Sequence, residues 1–247
     1  MSLPAKKNLI WFFDAIAPSR YLLRFRQMMV LDAVPGYDIA TRGRIPLYGC
    51  ERRKVFTKSL KQIRYDTDLL LEDIEAYHLY MAARCTQKVP GDIAEVGVYR
   101  GGSAKIICSA KGDRNLHLFD TFEGLPRVDK IDEVWPFYEG KFAAPFDEVK
   151  KYLSDEPGVF FYKGIFPDTS GPVKDLHFSM VNLDVDTYES TRQCLIFFYP
   201  RMSRGGIMIS HDYINAPGVT KAFDEFFADK PEPVVETAGS QCFVVKV

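Results

Sequence analysis

From residue 91 onward, short apolar runs alternate with segments of helical periodicity. The runs 93–98, 116–119, 159–162, 178–185 and 206–210 have strand length and composition. Helical segments are expected at 103–110, 146–153, 188–198 and 219–227. Residues 234–237 and 242–247 are expected to close the chain as a hairpin around Ala238-Gly239-Ser240. Successive β-then-α units imply a mostly parallel sheet with helices on both faces. The terminal hairpin requires one antiparallel strand. Such a sheet binds ligands at the carboxyl ends of its strands, where the strand order reverses.

Before residue 91 the pattern is different. Leu69, Leu70, Ile74, Tyr77, Met81 and Ala82 recur at helical spacing with acidic residues early, which predicts one helix over 66–84. Between 18 and 63, Pro18, Pro35, Gly36, Gly43, Pro46 and Gly49 punctuate the chain and predict short helices and loops. The division expected is an N-terminal extension, 1–64, and one α/β domain, 65–247. With 247 residues, 47% of them hydrophobic, the chain can bury one large core with an appendage.

Charge and cysteines narrow the classes. The 32 basic and 33 acidic residues nearly cancel, which argues against a nucleic-acid-binding domain. The balance is uneven, with 13 basic and 4 acidic residues in 1–64. Such a region suits contact with an anionic partner, or it offsets the acidic remainder. Five scattered cysteines without a C-x-x-C pair fit neither a zinc cluster nor a disulfide framework, so a reducing cytoplasm is expected. The apolar run 9–17 is too short to span a bilayer and contains Asp14, and no signal-peptide cleavage site follows it.

The segment Glu95-Val96-Gly97-Val98-Tyr99-Arg100-Gly101-Gly102-Ser103 follows the first strand and opens a helix. Glycine lets the backbone turn sharply and a ligand lie against it. A dinucleotide fingerprint would need glycine where Tyr99 stands, so a pyrophosphate is disfavoured. The second strand ends in Asp120-Thr121-Phe122, and an acid there can accept ribose hydroxyls. Glu95, at a buried-looking position, should be tied to the amides of the turn or to the ammonium end of a cofactor, because an unpaired buried carboxylate is costly.

The fourth strand runs into Asp184-Val185-Asp186 and the fifth into His211-Asp212-Tyr213. Residues two apart on a strand share a face, so Asp184 and Asp186 can both address one pocket. Three carboxylates and an imidazole then converge, raising one another's pKa values unless a cation joins them. A hard divalent ion such as Mg²⁺ would resolve this and leave a carboxylate free as general base. Asp186 could instead cap the helix that begins near Tyr188.

Taken together, residues 92–103, Phe119-Asp120-Thr121-Phe122-Glu123-Gly124-Leu125-Pro126, Gly140-Lys141-Phe142, residues 183–191 and Gly205-Gly206 with His211-Asp212-Tyr213 resemble the macrocin/mycinamicin/novobiocin-type O-methyltransferases. These enzymes tailor antibiotic deoxysugars. The resemblance covers about 65–247 and implies a class I methyltransferase fold, with a Rossmann-like seven-stranded sheet. It implies S-adenosylmethionine and a divalent metal as cofactors. Asp184, His211 and Asp212 would hold the metal, and Asp186 would deprotonate a sugar hydroxyl. The cofactor would contact Glu95, Gly97, Val98, Tyr99, Arg100, Gly101, Ser103, Asp120, Thr121, Phe122 and Asp184. It would also meet Gly164 and Phe166, which lie in the family's loop near the adenine. One position departs from the pattern: the family usually carries two aspartates before the tyrosine, and His211 stands in place of the first. An imidazole suits Mn²⁺, Fe²⁺ or Zn²⁺ better than Mg²⁺.

The expected partner is a sugar-containing small molecule, with room for self-association. The competing readings are a metal-independent methyltransferase with His211 as base on a phenolic or other acceptor, a non-catalytic S-adenosylmethionine-binding partner, and a nucleotide-cofactor oxidoreductase. The connection 126–145, with Trp135, Phe137 and Tyr138, is too long for a plain link and is expected to form a lid over the acceptor.

Overall fold

Ile93 to Val96, Leu116 to Phe119 and all of Phe178 to Leu183 are buried, as expected of central parallel strands covered on both faces. A computed structural model describes residues 45–47, 49–126, 128, 130–132 and 137–247. Among them the strands are β1 (Asp92–Val96), β2 (Leu116–Asp120), β3 (Val159–Lys163), β4 (Phe178–Leu183), β5 (Met202–Ser210), β6 (Val235–Glu236) and β7 (Cys242–Val245). They form one seven-stranded sheet in the order β3-β2-β1-β4-β5-β7-β6. The pairs among β1 to β5 are parallel, and β7 runs antiparallel to both β5 and β6, as the hairpin predicted.

The helices are α1 (Glu51–Asp66), α2 (Asp73–Cys85), α3 (Gly102–Cys108), α4 (Phe146–Tyr152), α5 (Tyr188–Phe198) and α6 (Pro217–Phe227). Pro217 sits in the first turn of α6, where its missing N–H is no loss. In α4, Asp147 and Glu148 open the helix and Lys150 and Lys151 close it, matching its dipole. A core of Val96, Phe119, Val181, Leu183, Leu195, Phe198, Val219, Phe223 and Phe227 joins the sheet to α5 and α6.

The chain divides into two compact units, residues 1–61 with 72–74 and residues 62–71 with 75–247. In the first, Arg53 Nη1 donates to the Pro46 carbonyl at 2.5 Å and Thr57 Oγ1 to the Arg53 carbonyl at 2.8 Å. Residues 1–44, which carry most of the expected basic extension, lie outside the described residues.

Two expectations before residue 91 fail. Residues 51–66 form a helix of 16 residues where short pieces were expected, because Pro46 and Gly49 punctuate only its approach. The helix expected over 66–84 begins only at Asp73, and residues 67–72 are not helical. The buried face of α2 is also not the expected one. It is Glu75, Ala76, Leu79, Ala82 and Ala83, while Ile74, Tyr77 and Met81 are only half-buried. Small side chains allow close approach there, so the largest apolar residues do not mark the inward face.

Candidate active site

The strand order reverses between β1 and β4, and three backbone hydrogen bonds carry the ladder past the strand ends. The Gly97 amide donates to the Phe119 carbonyl, that of Asp184 to Val96, and that of His211 to Leu183, each at 2.9 Å. These bonds bring the glycine turn, Asp184 and His211 side by side. Gly97 has φ 88°, and a Cβ there would stand 1.8 Å from the Asp184 carbonyl oxygen, so only glycine fits.

A cavity of about 450 Å³ opens at this end of the sheet. Of the expected cofactor residues, Gly97, Val98, Tyr99, Ser103, Asp120, Thr121, Gly164, Phe166 and Asp184 line it. Arg100, Gly101, Phe122 and Glu95 do not. Leu69, Leu70 and Leu71 also line it, although the sequence placed the first two on a helix face. Asp68 does so too, accepting the Tyr99 hydroxyl at 3.0 Å. Five non-glycine residues among those described have left-handed backbone: Tyr99, Phe122, Phe142, Asp186 and Asp212. Four line the cavity, and Phe122 follows Thr121, which does. Each such residue costs about 1–3 kcal/mol, and such strain collects at functional sites.

Asp120 shapes the turn. Its Oδ2 accepts the Val98 and Tyr99 amides at 2.6 and 2.8 Å, and its Oδ1 accepts the Phe122 amide at 2.6 Å. Burial pushes its carboxyl up, and the three amides pull against that. A carboxylate has about four lone-pair sites, so the three amides leave one acceptor site, on Oδ1, for a ribose hydroxyl. Asp120→Ala strands three amides, each worth about 1–3 kcal/mol if left unpaired. The expected result is at least a tenfold loss of S-adenosylmethionine affinity by calorimetry, with a lowered melting temperature. Unchanged affinity would remove Asp120 from the site.

Glu95 lies behind the turn, fully buried. Its Oε1 accepts from Asn182 Nδ2 at 2.8 Å, and its Oε2 has no hydrogen-bond partner. The tie to the turn's amides expected for it is therefore absent, and Asn182 on the neighbouring strand takes that place. Burial pushes its pKa from 4.5 up to about 8, against the pull of Ser103 and Asn182. Below pH 4.5 both folded and unfolded chains hold this proton. Between pH 4.5 and 8 only the folded chain holds it, so this group lowers stability progressively as pH rises. One pKa unit corresponds to about 1.4 kcal/mol. Glu95→Gln should thus raise the melting temperature at pH 8 by several degrees and leave it nearly unchanged at pH 5. Equal shifts at both pH values would show that Glu95 does not titrate this way.

Asp184, Asp186, His211 and Asp212 all line the cavity. Asp186 does not share a strand face with Asp184, because β4 ends at Leu183; its φ of 61° turns it inward. Nor does it cap α5. The backbone amide of Tyr188 donates to Asp132, at 3.1 and 3.0 Å to its two oxygens. His211 Nδ1 lies 2.9 Å from Asp212 Oδ2 and 3.4 Å from Asp184 Oδ1. Asp184, His211 and Asp212 can each offer one donor atom within 4.8 Å of the others. Burial disfavours the charged form of His211, but the charge of Asp184 and the bonds to Asp184, Asp212 and Glu75 outweigh it and raise the pKa. Burial, with the charges of Asp184 and Asp212, holds Asp186 well above the usual carboxylate range. Burial also pushes Asp212 up, yet its bonds to His211 and Asp186 win and its pKa is lowered.

In the connection expected to form a lid, Pro126, Phe137 and Phe142 line the cavity, and Lys141 Nζ lies 4.4 Å from the Phe142 ring centroid. Trp135 lies outside the described residues. Asp132 is buried against Gly218, where a Cβ would meet its Oδ1 at 1.8 Å.

This seven-stranded order with its antiparallel β7, and a glycine turn at the point where the order reverses, is the arrangement of a class I S-adenosylmethionine-dependent methyltransferase. The chain belongs to the macrocin O-methyltransferase (TylF) family, whose sequence profile matches residues 72–236. It is 31% identical over 202 residues to the 8-demethyl-8-(2,3-dimethoxy-alpha-L-rhamnosyl)-tetracenomycin-C 4'-O-methyltransferase of Streptomyces olivaceus, covering 76% of this chain and 72% of that protein. It is 30% identical over 155 residues to the mycinamicin III 3''-O-methyltransferase of Micromonospora griseorubida, covering 56% of this chain and 61% of that protein. The solved O-methyltransferase NovP superposes with a TM-score of 0.59 at 27% identity, over 71% of this chain and 82% of NovP. The protein is an S-adenosylmethionine-dependent O-methyltransferase.

Proposed function

We propose that the enzyme transfers the methyl group of S-adenosylmethionine to a sugar hydroxyl of a glycosylated small molecule. A divalent cation would be held by Asp184, His211 and Asp212, and Asp186 would act as base. The observation that carries this reading is geometric: Asp184, Asp186, His211 and Asp212 line one cavity just past the ends of β4 and β5, and Asp184, His211 and Asp212 each offer a donor atom within 4.8 Å of the others. Asp186 is the carboxylate of this group left outside the donor set, and once ionised it can accept a proton from a hydroxyl. The sugar acceptor is supported by relatives named for methylating rhamnosyl-tetracenomycin and mycinamicin.

The residues fit both groups. For the cofactor, Gly97, Val98 and Tyr99 of the turn line the cavity, where Gly97 presents bare backbone with no side chain in the way. The cluster offers two carboxylates and an imidazole nitrogen within reach of one ion. When bound, that ion supplies positive charge that lowers the pKa of an acceptor hydroxyl and offsets the charges around Asp186. Asp186 takes the hydroxyl proton, the oxygen attacks the methyl carbon, the carbon–sulfur bond breaks, and S-adenosylhomocysteine leaves. His211 is less suited as the base, because both its ring nitrogens already engage carboxylates.

The connection 126–145 is assigned the exclusion of water. No helix among the described residues is long and apolar enough to cross a membrane, and the five cysteines are free. A cytoplasmic enzyme accords with both. The metal half is tested with Asp212→Ala. Its methyl-transfer rate should fall and recover in part at high Mn²⁺ or Mg²⁺, whereas an unchanged metal requirement would contradict the ligand assignment.

A further inference from the structure

Behind His211, on the side away from the cavity, stands a carboxylate that the sequence pattern did not single out. Glu75 Oε2 lies 3.2 Å from His211 Nε2, and neither Glu75 nor Ser240 lines the cavity. The other oxygen, Oε1, accepts the Ser240 amide at 2.8 Å and the Ser240 hydroxyl at 2.6 Å. That hydroxyl also lies 3.2 Å from Nε2. Glu75 is 4% exposed on a helix face otherwise made of Ala76, Leu79, Ala82 and Ala83. A buried carboxylate is costly unless it is paired and hydrogen-bonded, and the partners here are the imidazole and the 239–241 turn. The opposite ring nitrogen, Nδ1, faces Asp184 and Asp212.

We propose that Glu75, braced by Ser240, is a positioning residue that fixes His211 with its proton on Nε2, presents Nδ1 as a metal donor beside Asp184 and Asp212, and selects a divalent ion of the Mn²⁺, Fe²⁺ or Zn²⁺ class over Mg²⁺. This rests on the metal reading of the site given above. A ligating histidine characteristically donates its other N–H to a carboxylate, which fixes ring and tautomer and strengthens the donor nitrogen. A strengthened imidazole donor favours later, softer divalent ions, while Mg²⁺ prefers oxygen. A purely structural ion pair would need only one carboxylate on the ring. His211 has carboxylates on both edges, and only the Nδ1 edge meets the other two candidate ligands.

The test uses the full chain and four readouts. These are Mn²⁺ and Mg²⁺ affinity by calorimetry, S-adenosylmethionine affinity, the melting temperature, and nitrogen-15 NMR of the four histidines in the Zn²⁺-loaded protein. The wild type should bind Mn²⁺ at least about tenfold more tightly than Mg²⁺. Its His211 should show a protonated Nε2 and a metal-shifted Nδ1. Glu75→Gln should lower Mn²⁺ affinity about 10–100-fold, the usual range for such outer partners, and leave S-adenosylmethionine affinity unchanged. If Glu75→Gln does not fold, Ser240→Ala replaces it, with a several-fold loss expected. Wild-type Mn²⁺ affinity and tautomer in the folded variant, or equal affinity for the two ions in the wild type, would overturn the proposal while Asp212→Ala still weakens binding. If no divalent ion binds the wild type, or Asp212→Ala has no effect on binding, the metal reading itself fails and the proposal with it.

Discussion

Asp186→Asn is expected to bind S-adenosylmethionine and metal as the wild type does, and to lose about 10²–10⁴ in kcat, the usual worth of a positioned base. Asparagine is the appropriate probe for two reasons. Asp186 has φ 61°, and asparagine tolerates that left-handed backbone better than other residues. Its amide can also still donate to Asp212, the neighbour with which the Asp186 carboxyl shares a hydrogen bond. What the variant loses is the ability to accept a proton from the acceptor hydroxyl. Separate measurement of kcat and of both affinities distinguishes this from damage to binding. A kcat within threefold of wild type would exclude Asp186 as the base.

Gly97→Ala should damage both the fold and the cofactor site. Its Cβ would lie 1.8 Å from the Asp184 carbonyl oxygen and 2.7 Å from the carbonyl carbon, both backbone atoms at the crossover of β1 and β4. The left-handed φ of 88° adds strain of its own. Together these cost about 2–4 kcal/mol, or roughly 5–15 °C in melting temperature for a domain of this size. Binding of S-adenosylmethionine should fall below detection, because the shift passes directly to Asp184. Gly101→Ala is the control. It has a similar φ of 80°, but a Cβ there meets only side chains, the nearest being Val149 Cγ1 at 3.2 Å. It should be destabilised less and keep cofactor binding. Equal behaviour of the two variants would mean that backbone strain, not the clash with Asp184, governs the turn.

The α/β half of the molecule was legible because its strands are buried on both faces and read as apolar runs separated by helical segments. The order of Gly97, Asp120, Asp184 and His211 along those strands was enough to place them at one end of the sheet. Other features were hidden by long-range geometry. Glu75 reads as one more acid along the helix expected over 66–84, and nothing nearby in sequence points to His211, 136 residues later. Asp132 lies in a connection and caps α5 from 56 residues away. Asp120 was read as a ribose acceptor, and its bonds to three amides of the turn were not foreseen; sequence shows which residues carry acceptors but not which backbone amides fold back onto them. The inward turn of Asp186 depends on a left-handed residue, which strand alternation cannot anticipate. The face of α2 was misjudged because side-chain size stood in for burial.

The most direct test of the account follows the methyl group itself. Enzyme freed of metal by chelation, and the same enzyme with Mn²⁺ or Mg²⁺ restored, would be given methyl-labelled S-adenosylmethionine and a panel of rhamnosides and other deoxysugar glycosides. The labelled product would be mapped by NMR. The account predicts label on a single sugar oxygen as a methyl ether, at a rate that collapses on chelation and returns with the ion. Label on an aglycone carbon or nitrogen, or transfer at full rate from metal-free enzyme, would contradict it.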